Sequence, residues 1–207
     1  MIRGKFITLE GGEGVGKSTN LAYIQDYLLS RNIPLEVTRE PGGTYIAEEI
    51  RALLLNHHHE AFSEHTELLL MFAARSQHIK HVIRPALLAG KWVLCDRFTD
   101  ATYAYQGGGR RMDNKTIAWL EQLVQGGLQP DLTLLLDAPV DVGLKRAQKR
   151  GALDRIEQEK QHFFEDVRRA YLLQAELNSS RIQIINANQP LVDVQREIIA
   201  VLQRLVR

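Results

Sequence analysis

Residues Gly11 to Thr19 read Gly-Gly-Glu-Gly-Val-Gly-Lys-Ser-Thr, between an apolar-rich run, Phe6 to Glu10, and a helix-periodic segment carrying Leu21, Ile24 and Leu28. The spacing is that of the GxxxxGK[ST] phosphate loop, in the strand-loop-helix context that gives the pattern meaning. Its chemistry is electrostatic. Glycines let successive main-chain N–H groups converge on phosphate oxygens, the following helix adds a partial positive charge, and Lys17 adds a whole one. The expected nucleotide contacts are therefore Gly11, Gly12, Glu13, Gly14, Val15, Gly16, Lys17, Ser18 and Thr19, with the Ser18 hydroxyl left to ligate magnesium. A second constellation, Asp96-Arg97, ends the β-like run Trp92 to Cys95. The acid can hold magnesium, and the arginine can grip a phosphoryl group through paired N–H donors. Such chemistry mainly requires two polyanions to be aligned and their charge neutralised.

These groups need a scaffold that gathers strand ends. Short β-like runs at Phe6 to Glu10, Leu35 to Thr38, Trp92 to Cys95, Leu132 to Leu136 and Ile182 to Ile185 alternate with helical patterns. The alternation predicts an α/β fold, a five-stranded parallel sheet with helices on both faces. Helices are expected directly after the phosphate loop and over about 46–55, 63–89, 114–125, 140–149, 158–177 and 190–204. Ligands of such sheets bind outside the carboxyl ends of the strands. With no repeat, low-complexity tract or linker, the 207 residues read as one domain.

Composition narrows the partners. Lys plus Arg total 26 against 25 Asp plus Glu, a formal net charge of +1, so neither a nucleic-acid surface nor a polybasic membrane surface is indicated. No apolar window approaches a bilayer span, since Leu68 to Ala74 is short and followed by Arg75. The single cysteine, Cys95, has no intramolecular disulfide partner, and the N-terminus enters the first strand without a leader pattern, so a cytoplasmic setting is expected. His57-His58-His59 reads as a polar loop, because consecutive residues point apart on any regular element. Phe72 and Arg75 share one helix face. A planar base could stack on the ring while the guanidinium donates to a carbonyl such as thymine O4, which cytosine lacks. Phe72 by itself is more often ordinary core, because Leu68, Leu69 and Met71 suggest a heavily buried helix; Arg75, on so apolar a stretch, requires a partner.

The phosphate loop, Thr38-Arg39-Glu40-Pro41-Gly42-Gly43-Thr44, Asp96-Arg97-Phe98, Ala104-Tyr105-Gln106-Gly107 and Leu153-Asp154-Arg155-Ile156-Glu157, in this order and spacing, resemble the thymidylate kinase family in its bacterial form. The resemblance runs from the first strand to the last. It implies a P-loop nucleoside monophosphate kinase fold and transfer of the γ-phosphoryl group of ATP to dTMP, giving dTDP and ADP in dTTP synthesis, with Mg2+ required. A kinase for another nucleoside monophosphate, or an ATP-dependent switch, is the alternative reading.

The resemblance also implies roles. Lys17 bridges the β and γ phosphates, Arg97 holds the acceptor phosphate, and Arg51 reaches the dTMP phosphate, although a solvated helix-face arginine would look the same. Thr102 and Gln106 lie near the base, and Tyr105 packs under the sugar, disfavouring a 2′-hydroxyl, or anchors its loop. Glu13 addresses the 3′-hydroxyl region, and Ser18 with Asp96 serves magnesium. Gly14 stands where some relatives carry an arginine. The missing charge is expected from a lid at about 146–158, with Arg155 and Arg150 as catalytic cations and Gly151 as hinge. The turn Asn186 to Pro190 either lies against adenine or is a plain strand-to-helix connection, and the Glu40-Pro41 bond is open to either isomer. A homodimer is implied, compatible with the long apolar third helix.

Overall fold

The computed structural model describes residues 4–149 and 154–206. One sheet contains β1 (Phe6–Gly11), β2 (Leu35–Arg39), β3 (Trp92–Asp96), β4 (Leu132–Asp137) and β5 (Ile182–Asn186). Its order is β2-β3-β1-β4-β5, and every neighbouring pair is parallel. Around it lie α1 (Lys17–Ser30), α2 (Tyr45–Leu55), α3 (Glu64–His78), α4 (Arg84–Leu88), α5 (Thr99–Thr102), α6 (Asn114–Gln125), α7 (Val140–Gln148), α8 (Gln161–Leu177) and α9 (Leu191–Val206).

The central strand β1 is buried along its whole length, as a parallel strand covered on both faces must be. Its alternating side chains serve two layers. Ile7 and Leu9 pack with Ile24 and Leu28 of α1 and with Val194, Ile198 and Leu202 of α9. Phe6 turns the other way, onto Ile79, Ile83 and Phe98. Thr8 is polar but not orphaned, since its hydroxyl meets that of Thr133 on β4 at 2.7 Å. Leu9 and Arg39 both stand opposite Asp96 in the ladder, and Gly11 stands opposite Leu136. The phosphate loop, the Asp96-Arg97 pair and the chain leaving β2 therefore emerge at the same carboxyl edge of the sheet.

Two elements differ from the sequence expectation. The helix expected over 63–89 is interrupted by a π-helical turn, Ile79–Ile83, before α4. There the Arg84 N–H reaches the Ile79 carbonyl, and Pro85, which has no N–H to give, sits in the first turn of α4. The stretch from Thr99 onward, where no helix is among those expected, forms α5 and then a π-helical segment, Tyr103–Gly109. Its three consecutive glycines conceal a helix whose backbone lies hard against α8: a Cβ on Gly108 would stand 2.6 Å from the Ala170 Cβ. Among the described residues no helix is long and apolar enough to cross a membrane.

Candidate active site

The carboxyl edge of the sheet opens into a cavity of about 680 Å³ whose wall holds phosphate-loop residues at one end and α3 residues at the other. Lys17, at the start of α1, curls back onto its own loop, donating to the Gly11 carbonyl at 3.1 Å and the Gly12 carbonyl at 2.8 Å. Burial pushes its pKa down, as does Arg97, against opposing pull from Glu13, Asp96 and Glu10. Ser18 and Thr19 are exposed on the cavity wall. Gly14 has no room for a side chain: a Cβ there would overlap the Gly143 carbonyl of α7. The absence of a cation at this position thus has a packing cause.

Arg97 follows β3 with φ 68°, a left-handed backbone that turns its side chain into the cavity. Its guanidinium donates to Glu13 Oε1 at 2.7 Å and to the Tyr171 hydroxyl at 3.2 Å, and lies 4.7 Å from the Tyr105 ring centroid. The Tyr105 hydroxyl donates to the same Glu13 oxygen at 2.6 Å. Behind this group Tyr171 donates to Glu10 Oε2 at 2.7 Å, while the Phe98 N–H donates to Glu10 Oε1 at 2.6 Å. Burial, aided by Asp100, raises the Glu10 pKa to about 8 despite Arg97 and these two hydrogen bonds.

The far end is built from α2 and α3. Arg51 donates to the Pro41 carbonyl at 2.8 Å and reaches the cavity, and the Glu40-Pro41 bond is cis. Arg75 is 3 % exposed. It donates from Nε to Glu40 Oε2 at 2.7 Å and from Nη2 to the Phe98 carbonyl at 3.2 Å and the Thr102 hydroxyl at 3.0 Å. Its Nη1 has no hydrogen-bond partner among the described residues, although Arg75 lines the cavity. Thr102, Tyr105 and Gln106 also lie on the wall, and Gln106 Nε2 donates to Glu67 Oε1 at 2.9 Å.

Among the described residues, five expected site residues do not line this cavity: Gly11, Gly12 and Val15 of the phosphate loop, Phe72 and Arg155. Phe72 is buried in a cluster with Leu68, Ile117 and Leu120, and its ring lies 4.9 Å from the Arg75 guanidinium carbon. It backs the arginine rather than lining the cavity, because α3 turns it inward between α6 and Arg75. Arg155, expected at the phosphates, donates to Glu67 Oε2 at 2.6 Å and to the Leu54 carbonyl at 2.8 Å, over the Phe62 ring. A half-hidden guanidinium with a buried carboxylate in reach pairs with it. Arg150 and Gly151 lie outside the described residues. Conversely, Glu10, Glu40, Glu67 and Tyr171 were not singled out. Glu10 and Glu40 each close a strand at the ligand edge, a signal that position alone offers; Tyr171 merely continues the apolar period of α8.

The residues present fit a magnesium ion. Asp96 presents a buried oxygen, Oδ1, with no partner among the described residues, and Ser18 lines the same cavity with a hydroxyl. Both are hard oxygen donors suited to that ion. No group of three or more acidic, histidine or cysteine side chains is assembled among the described residues, so the remaining ligands would be phosphate oxygens and water.

A parallel sheet with a phosphate loop after its central strand and arginines facing that loop across one cavity defines a P-loop nucleoside monophosphate kinase fold. The family model described as thymidylate kinase matches residues 9–198. The chain is 56 % identical over 203 residues to the thymidylate kinase of Pseudomonas savastanoi pv. phaseolicola, covering 98 % of this chain and 97 % of that one. It is 60 % identical over 199 residues to that of Pseudomonas entomophila, covering 96 % and 95 %. The crystal structure of thymidylate kinase from Ehrlichia chaffeensis superposes with a TM-score of 0.78 at 32 % identity, over 97 % of this chain and 99 % of that one. The chain belongs to the thymidylate kinase family.

Proposed function

We propose that this protein transfers the γ-phosphoryl group of ATP to dTMP, giving dTDP and ADP. The observation that carries the reading is Arg75, which lines the same cavity as the phosphate loop and whose buried Nη1 has no acceptor among the described residues. An unpaired buried donor is costly, and thymine O4 would satisfy it. Arg97 and Arg51 bind the dTMP phosphate, Tyr105 packs under the deoxyribose, and Glu13 accepts from the 3′-hydroxyl. Thr102 and Gln106 flank the base, and Phe72 supports it indirectly, through Arg75. The phosphate-loop amides hold the donor, and Lys17 leaves the Gly11 and Gly12 carbonyls for the β and γ phosphates. A phosphate oxygen of dTMP bonds to the γ-phosphorus as the bond to the β,γ-bridging oxygen breaks, with ADP the leaving group. Magnesium, at Ser18 and Asp96, supplies charge neutralisation of the donor phosphates when bound.

The segment at about 146–158 acts as a lid. Arg146 and Lys149 line the cavity, and Arg146 donates to the Ala187 carbonyl at 3.1 Å, within the turn Asn186 to Pro190. Arg150 is the lid cation for the transferred group, and Arg155 joins it only if the Glu67 pair opens. The protein works as a cytoplasmic homodimer; Leu69 of α3 and Trp119 and Leu123 of α6, helices that pack together, are exposed apolar side chains suited to a subunit contact. Sedimentation at twice the chain mass checks the dimer.

Coupled ADP release with dTMP, dUMP, dCMP, UMP and AMP tests the function. Turnover should require a monophosphate and be greatest with an oxo-pyrimidine deoxynucleotide. ADP release independent of added monophosphate would overturn the reading.

A further inference from the structure

Arg75 is held by an acid that is itself held. Glu40, 5 % exposed, gives Oε2 to Arg75 Nε at 2.7 Å and Oε1 to His78 Nδ1 at 2.9 Å. His78, fully buried on the turn of α3 after Arg75, uses its other nitrogen, Nε2, on the Thr38 hydroxyl of β2 at 2.6 Å. Strand β2 and helix α3 are thus joined through a chain of three side chains that ends on the guanidinium. Burial pushes the Glu40 carboxyl up, but the Arg75 charge and the His78 hydrogen bond outweigh it and hold the group ionised below its ordinary range.

The geometry leaves Arg75 one free direction. Nε is taken by Glu40, and Nη2 by the Phe98 carbonyl and Thr102. The rings of Phe72 and Phe98 close on the guanidinium from 4.9 and 5.2 Å. A guanidinium is planar, so fixing Nε and Nη2 fixes where Nη1 points. We infer that Glu40, oriented by His78 and Thr38, is a specificity-determining positioning residue: it aims Arg75 Nη1 so that the site rewards a base with an acceptor at the 4-position and penalises one without it. The inference rests on the dTMP reading above and extends it to Glu40, which lines the cavity beside Arg75, and to His78 and Thr38 behind it.

Discrimination follows from rigidity. A fixed buried donor loses a hydrogen bond outright when the substrate lacks the acceptor, whereas an arginine free to swing finds water or another carbonyl and loses little. Removing Glu40 therefore costs affinity for dTMP and hardly alters the binding of an analogue that never used Nη1.

The test measures kcat/KM for dTMP and for the 5-methyl-2-pyrimidinone deoxynucleotide, which keeps the methyl group but lacks the 4-oxygen and the N3 hydrogen, on wild type, Glu40→Ala, Glu40→Gln, His78→Leu and His78→Asn. Taking the ratio of the two substrates on one preparation cancels any loss of folded protein. Wild type should prefer dTMP by about 100-fold. Glu40→Ala should reduce that preference to under about threefold, mainly by raising the KM for dTMP, and Glu40→Gln, which keeps one acceptor, should fall between. His78→Leu should lower the preference, and His78→Asn, whose amide can replace the Nδ1 donor, should restore most of it. An unchanged ratio in Glu40→Ala, whatever the change in melting temperature, would overturn the positioning role while leaving the kinase reading intact. No turnover of dTMP by wild type would overturn both.

Discussion

The two ends of the cavity hold their ligands by different means. At the acceptor end, side chains bind one another: Arg75, Glu40, His78 and Thr38 form one chain, and Arg97, Glu13, Tyr105, Tyr171 and Glu10 form another. At the donor end, the loop offers main-chain amides, Ser18 and Thr19 stand exposed, and Lys17 rests on its own loop carbonyls. The polyphosphate is a generic anion, for which converging amides and charge suffice. A base must be told from other bases, and that requires donors fixed in place. On the proposed reading, selectivity resides in the end where side chains are mutually bonded and chemical power in the phosphate-loop end.

The largest expected effect separates these properties. Lys17→Met should lower kcat by about a thousandfold, since it removes a charge aimed at the transferring phosphoryl group, with little change in the choice among monophosphates. Parallel loss of rate and base preference, measured by ADP release, would mean that the two ends are not separate. Arg155 sharpens the boundary. Paired with a 3 %-exposed carboxylate on Glu67, it serves the acceptor wall as an anchor. Arg155→Ala should lower the melting temperature by about 4 °C and kcat by less than about tenfold. A loss of kcat beyond a hundredfold with unchanged melting would return it to the phosphates.

The smallest effect is a matter of pH. Glu10 has a folded pKa of about 8, above its unfolded value, so its protonated form is favoured in the native state and stability falls as pH rises through that range. Between about pH 5 and 8 the wild-type melting temperature should decline. Glu10→Gln, which imitates the neutral acid, should flatten that slope; an identical slope in both proteins would place the charge elsewhere.

Much of the fold was written in local patterns. Five apolar runs and the helices between them need only period and punctuation to be read, and the phosphate loop announces itself by glycine spacing. The segment from Thr99 to Gly109 was not readable, because its helix is stabilised by glycine-backed packing on α8, some sixty residues away, and not by its own propensity. The same limit applied to the site. Lys17, Arg97 and Asp96 lie next to signals in the chain, whereas the partnership of Arg155 with Glu67, separated by 88 positions, and of Tyr171 with Glu10, separated by 161, is created by the fold. Phe72 was correctly seen to share a face with Arg75, but which of the two meets the cavity depends on how α3 is rotated, and a period does not record that.

On the proposed reading the base is chosen by the acceptor end without help from the donor. Isothermal titration of dTMP and dCMP into the nucleotide-free protein measures this. dTMP should bind without ATP at least about tenfold more tightly than dCMP. Equal affinities, with a preference emerging only once a donor analogue is added, would contradict it.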